Sequence, residues 1–175
     1  DAASRDRESA KSGASKPGGK LFLFDEPTTG LHFADVARLL GALRKLLDAG
    51  HSLLVVEHNL DVIRACDWII DLGPEGGEAG GRLVCEGTVA EVTLHPSSYT
   101  GRALRDYAKS FERDWKIAEP KAAKRAAPSA NAIVVHNARE HNLHDLNVSI
   151  PRNQFTVVTG VSGSGKSTLA FDIIF

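Results

Sequence analysis

Short, wholly apolar runs alternate along this chain with stretches whose apolar residues recur at helical spacing. LFLFD (Leu21 to Asp25) is a continuous apolar run closed by a charge, which predicts a buried parallel strand. After the turn PTTG, the apolar positions Val36, Leu39, Leu40, Leu43, Leu46 and Leu47 line one face of a helix, and Gly50 is placed to end it. SLLVVE (Ser52 to Glu57) and WIIDLG (Trp68 to Gly73) read as further buried strands, with a short helix from about Leu60 between them. RLVCEG (Arg82 to Gly87) reads as an edge strand. Two helices follow, Thr88 to Leu94 with Thr88 as its cap, and Tyr99 to Ala108. Beyond a break in the pattern, IVV (Ile133 to Val135), LNVSI (Leu146 to Ile150) and FTVVTG (Phe155 to Gly160) predict three more strands. The last of them feeds a Gly-rich loop and a helix cut off at Phe175. Strands alternating with helices in this way predict an α/β fold with an open, mostly parallel sheet.

Charge divides the chain more sharply than its total of −1 suggests. Residues 1–20 carry a net +2, residues 21–108 a net −6, residues 109–130 a net +3 and residues 131–175 a net of zero. The Ser/Ala/Gly/Lys-rich opening reads as a flexible tail, and the KAAKRAAPSA region within 109–130 as a basic, solvated linker. The balance excludes a wholly basic nucleic-acid module. Cys66 and Cys85 have no CxxC spacing, so they read as small buried hydrophobes. No apolar run approaches the roughly 20 residues of a membrane span, and the polar start shows no secretory signal; both point to a cytoplasmic chain with no membrane role. The chain starts at Asp1 and has no methionine, which marks it as a processed or partial piece.

The chemistry concentrates in two places. Gly160 to Ser167 fits the pattern G-x-x-x-x-G-K-[ST], preceded by an apolar strand and opening a helix. Gly160, Gly163 and Gly165 let successive N–H groups converge on phosphate oxygens, Lys166 adds charge at the outer phosphates, and Ser167 is placed to ligate Mg²⁺. The binding set is Gly160, Ser162, Gly163, Ser164, Gly165, Lys166, Ser167 and Thr168. At the other place, LFLFDE carries Asp25 to a strand end, suited to hold Mg²⁺, with Glu26 beside it as a general base for an attacking water. His58 ends the next strand, where a histidine can bond a γ-phosphate.

DEPTTGLHFADV, VVEHNLDVI, DWIIDLGPEGGEAGG and GVSGSGKSTLAFD together resemble the UvrA family of ABC-type P-loop ATPases, over about residues 20–108 and 131–175. The resemblance implies Asp25 as the Mg²⁺-side acid of a Walker B element, Glu26 as the catalytic base, His58 as the γ-phosphate sensor and Gly160 to Thr168 as the P-loop. It implies ATP and Mg²⁺ as cofactors and a parent ATPase acting in nucleotide excision repair. Damaged duplex DNA, a UvrB-like partner and homodimerisation come with it. It also implies zinc modules in the parent, for which this sequence supplies no site. An ABC transporter subunit, or a nucleotide-binding fragment without turnover, are the alternative functions.

In such ATPases the P-loop precedes Walker B; here it follows by about 140 residues. The expected organisation is a tail at 1–20 and the C-terminal part of one nucleotide-binding domain at 21–108. The linker at 109–130 then leads to the N-terminal part of a second such domain at 131–175. By the same resemblance, DEPTTGLHFADV is similar to the end of a second nucleotide-binding domain, and AREHNLHDLNV with GKSTLAFDIIF to the start of a first one. The simplest such arrangement is a junction in a tandemly duplicated protein, the tail of one copy running into the head of the next, with a circularly permuted domain as the alternative. Whether the acid pair and the P-loop share one site is left open by the sequence. No LSGGE-like signature is present. No aromatic residue between Trp115 and Phe155 can stack on adenine, which leaves Arg139 or His141 to cover the base or to lie as plain surface residues. His136 and His144 read as surface residues, His32 as a cap beside the turn, Trp68 as core, and PEGGEAGG (Pro74 to Gly81) as a flexible turn.

Overall fold

A computed structural model describes residues 19–112 and 131–175. The predicted tail falls almost wholly outside the described residues, as does most of the predicted linker. In sequence order the elements are β1 (Leu21–Asp25), α1 (Phe33–Asp48), β2 (Ser52–Val56), α2 (Leu60–Ala65), β3 (Trp68–Gly73), β4 (Arg82–Gly87), α3 (Val89–Leu94) and α4 (Tyr99–Glu112). Then follow β5 (Ala132–Ala138), β6 (Leu146–Pro151), β7 (Phe155–Gly160) and a wide helical turn over Thr168–Ile173. Helix α4 runs through Lys109 to Glu112, so the helix continues past the expected boundary at Ala108.

Five strands form one sheet in the order β1-β2-β7-β3-β4. Strand β7, almost the last element in sequence, inserts between β2 and β3 and runs parallel to both. Strand β4 closes one edge antiparallel to β3. The other edge is β1, half-buried from Leu21 to Phe24 and exposed at Asp25, because only β2 pairs with it. Strands β5 and β6 leave this sheet altogether and pair antiparallel with each other.

The core follows from the two-residue period of a strand, which sends alternate side chains to opposite faces. Leu53 and Val55 of β2, Ile69 of β3 and Val157 of β7 face α1, α2, α3 and α4, where Val36, Leu43, Ile63, Val92 and Leu104 cover them. Leu54, Val56, Ile70, Leu72 and Val158 point the other way, onto Val135, Leu146, Val148 and Ile150 of the hairpin and onto Leu169. Both faces are covered, so β2, β3 and β7 can be mostly apolar, as parallel strands usually are, with Ser52, Asp71, Thr156 and Thr159 as their buried polar exceptions. Trp68, expected in the core, is only half-buried at the start of β3. Among the described residues no helix is long and apolar enough to cross a membrane.

Helix ends obey their local sequence. His32 caps α1 by accepting from the Ala34 N–H, and Gly50 takes a positive φ just past its end. Thr88 and Glu91 form a reciprocal capping box at the start of α3.

Candidate functional site

Parallel strands β1, β2, β7 and β3 end on the same edge, and their C-terminal residues meet there. Strand β1 delivers Asp25, and the Glu26 N–H donates to Val56 O at 2.9 Å, which keeps the chain on β2 for one residue more. Glu26 has φ +42, a left-handed conformation that is uncommon outside glycine and is held only where the surroundings fix it. The turn that follows is pinned from below: the Thr28 N–H and hydroxyl both donate to Glu57 Oε1. Glu57 Oε2 accepts from the N–H groups of His58 and Asn59 at 2.8 and 2.9 Å. Burial raises this carboxyl, but the donors from Thr28, Asn59 and His58 outweigh it and hold the group below the ordinary carboxylate range. Glu57 therefore joins the acid-bearing turn to the histidine, a role its place in the strand-end triplet did not reveal.

His58 and Glu26 face each other across the edge, Nδ1 to Oε1 at 3.9 Å, both well exposed. The P-loop rises beside them. Gly160 leaves β7 with φ +135, and a Cβ there would stand 1.9 Å from Leu72 O, so no other residue fits without moving β3. Lys166 Nζ donates to Gly160 O at 3.1 Å and to Val161 O at 2.9 Å, folding the side chain back over its own loop. Burial draws the Lys166 ammonium below its ordinary range, opposed by the charges of Glu26, Asp25 and Asp71. Ser167 Oγ donates to Asp25 Oδ2 at 3.3 Å. Two distant segments of the sequence thus meet at one sheet edge.

The remaining predicted residues separate. Ser162 and Gly163 are exposed at the loop's crest, Gly165 is buried, and Thr168 is half-buried at the start of the closing turn. Ser164 is fully buried, with its hydroxyl facing the interior and without a protein partner, so its side chain does not reach the site, and its N–H donates to Val161 O at 3.2 Å. Arg139 pairs with Asp145, and His141 Nε2 lies 3.6 Å from Asp172 Oδ2. His136 is exposed. His144 is also exposed, yet its Nε2 meets Glu78 O at 3.1 Å.

Three features were missed in the sequence. The Pro74–Gly81 segment is no free turn, because the Gly77 N–H donates to Gly163 O at 3.0 Å. Asn142 Nδ2 donates to the same Gly163 oxygen. Asp71 is buried beside the P-loop strand, accepting from the Ser98 and Thr100 hydroxyls, while Thr100 Oγ1 meets Thr159 Oγ1 at 3.1 Å. Burial raises the Asp71 carboxyl, against the two hydroxyls and the charges of His95 and Lys166. A cavity of about 200 Å³ opens here, lined by His58, Asp71, Tyr99, Thr100 and Gly160 among others.

The donor set suits a hard divalent cation. Asp25 and Ser167 place a carboxylate and a hydroxyl oxygen side by side at the loop's edge, the oxygen ligands that Mg²⁺ takes alongside substrate phosphates and water. Among the described residues no cluster of three or more His, Cys, Asp or Glu is arranged to hold a metal by itself.

No family model matches the chain. It is similar to "UvrABC system protein A" of Aquifex aeolicus, 45% identical over 161 residues, which are 92% of this chain and 16% of that protein. Over nine-tenths of its length this chain is a homologue of UvrABC system protein A. The protein of that name from Chlamydia muridarum is 40% identical over 154 residues, 88% of this chain and 8% of the relative. The crystal structure of UvrA2 from Deinococcus radiodurans is 41% identical, covering 87% of this chain and 18% of that one, with a TM-score of 0.47. The chain thus spans about one-sixth of the length of the Aquifex relative.

Proposed function

We propose that this chain carries an ATP-binding and ATP-hydrolysing site of a UvrA-type protein of nucleotide excision repair. The observation that carries the reading is the approach of Ser167 to Asp25 at 3.3 Å, which joins the P-loop to the acid-bearing strand end. The roles follow from place and chemistry. N–H groups of Gly163 and of Gly165 to Thr168, with the Lys166 ammonium, bind the phosphates, while Gly160 shapes the loop, Ser162 lies at its crest and the Ser164 N–H braces it through Val161 O. Lys166 must first leave the carbonyls of Gly160 and Val161, which it occupies without a ligand. Asp25 and Ser167 would hold Mg²⁺, which when bound neutralises charge on the outer phosphates. Glu26 accepts the proton of the attacking water, and His58, 3.9 Å from it, holds the γ-phosphate side of the site. Positioning and charge stabilisation supply most of the acceleration in phosphoryl transfer.

We read residues 21–108 as the end of one nucleotide-binding module and 131–175 as the start of the next. The match covers 92% of this chain within 16% of the Aquifex relative, which supports the same order of the two segments there. That order then needs no second copy of the protein, although the Chlamydia relative, with half the share matched, is about twice as long. The pairing of β7 with β2 and β3 supports a second feature of this chain: taken together, its two segments complement each other into one sheet and one site, as in a permuted domain.

The relatives' name supports repair over transport as the setting. Damaged duplex DNA, a UvrB-like partner, a homodimer, zinc modules elsewhere in the polypeptide and a cytoplasmic location belong to the same proposal. The test is ATP hydrolysis by a full-length UvrA-type protein carrying this segment, with and without damaged duplex DNA. A rate that responds to the DNA and is lost in Glu26→Gln supports the proposal, and a rate indifferent to DNA contradicts it.

A further inference from the structure

The Gly-rich connection Pro74–Gly81 lies against the outer wall of the P-loop. The Gly77 N–H donates to Gly163 O at 3.0 Å. Asn142 Nδ2, from the loop between β5 and β6, donates to that same oxygen. Gly76 passes so close that a Cβ there would stand 2.3 Å from Ser162 O. The two gripping segments are also tied to each other: the His144 N–H donates to Gly81 O at 2.8 Å, and His144 Nε2 meets Glu78 O at 3.1 Å.

The oxygen of Gly163 and the N–H of Ser164 belong to one planar peptide unit. Its oxygen is held from outside by two donors, and its N–H donates inward to Val161 O at 3.2 Å. That unit therefore cannot rotate without breaking bonds on both sides, and it sits at the middle of the loop whose N–H groups must converge on an anion. A cradle already fixed in this way loses little freedom when a ligand arrives, so its affinity is higher than that of a loop ordered by the ligand.

We infer that Pro74–Gly81 is a positioning element of the nucleotide site, with Gly76 as its close-contact residue and Asn142 as a second anchor, and that together they set the affinity for a nucleotide polyphosphate. This rests on the reading of residues 160–168 as the phosphate cradle. Neither Gly76 nor Asn142 touches the phosphates; both act through Gly163 and its neighbours.

The test measures Mg·ADP and inorganic triphosphate binding by calorimetry on the 175-residue chain. Gly76→Ala is expected to weaken both ligands about tenfold or more, and Asn142→Leu about threefold or more. Amide hydrogen exchange should rise at residues 161–166 in both variants while β2 and β7 stay protected. Gly50→Ala is the control: Gly50 also has a positive φ, nothing lies near its missing Cβ, and it is remote from the site, so it imposes backbone strain while leaving binding unchanged. Binding by both Gly76→Ala and Asn142→Leu within twofold of the wild type overturns the inference. So does weakened binding with unchanged exchange at 161–166. Should Gly76→Ala not fold, Asn142→Leu decides by the same thresholds. Lys166→Ala separates the two levels: if it abolishes binding while the other variants bind normally, the positioning role alone fails. If it too binds normally, the cradle reading fails.

Discussion

Ser167 Oγ donates to Asp25 Oδ2 at 3.3 Å although 142 residues separate them in the chain. The contact exists because β7 enters the sheet beside β2, whose other neighbour is β1. Sheet order, rather than proximity in sequence, thus brings the hydroxyl to the carboxylate.

Asp25→Asn keeps the shape of that contact and removes its charge. The expected outcome is nucleotide affinity that is little changed in EDTA and about tenfold lower than wild type in Mg²⁺, a difference of ~1.4 kcal/mol. Titration of the chain with ADP in the two buffers measures it. Equal losses with and without Mg²⁺ would show that Asp25 acts on the loop rather than on the cation.

Glu57 links acid stability to the site. Its carboxyl is buried yet held below its ordinary value of 4.5 by the donors of Thr28, Asn59 and His58. A folded value below the unfolded one contributes stability that is present above the unfolded pKa and lost as pH falls through the folded value. Glu57→Gln should therefore lower stability at pH 7 by about 1.5–3 kcal/mol, the range for hydrogen bonds to a charged group. The gap between variant and wild type should narrow below about pH 4. Urea unfolding across pH checks both, and a gap independent of pH would refute the charge argument.

The two free thiols should be inert in the folded chain. Burial pushes the Cys66 thiol far up, aided by Asp67, and its Sγ donates to Ile63 O. Burial and the charge of Asp71 push Cys85 up to about 11. At pH 8 that leaves roughly one thiolate in a thousand at Cys85. Iodoacetamide at pH 8 should label neither residue in native buffer and both in concentrated guanidinium, as read by mass spectrometry. Rapid native labelling of Cys66 would mean that the α2–β3 corner opens.

Much of this arrangement was legible because it is written in local pattern. LFLFD, SLLVV, WIIDLG and FTVVTG are strands, since short, mostly apolar runs suit a sheet covered on both faces, and the helical spacing from Val36 to Leu47 predicted α1. The separate antiparallel pairing of β5 and β6 was not anticipated, although LNVSI alternates apolar and polar residues as a strand with one wet face does. The position of β7 in the sheet could not be read, because strand order depends on contacts between residues 88 to 102 apart. Of the candidate site, Asp25, Glu26, His58, Lys166 and Ser167 were visible through their motifs. Asn142, Gly76 and Gly77 were not, because they act through contacts with a backbone far away in sequence. Ser164 shows the reverse: a motif position whose side chain turns inward.

The central claim is that residues 160–168 and the end of β1 form one polyphosphate site. Isothermal titration of the 175-residue chain with Mg·ATP, wild type against Lys166→Ala, tests it most directly. Saturable one-to-one binding by the wild type is predicted, with affinity at least about tenfold lower in the variant and an unchanged unfolding transition. Equal binding by the two proteins, or none by the folded wild type, would contradict it.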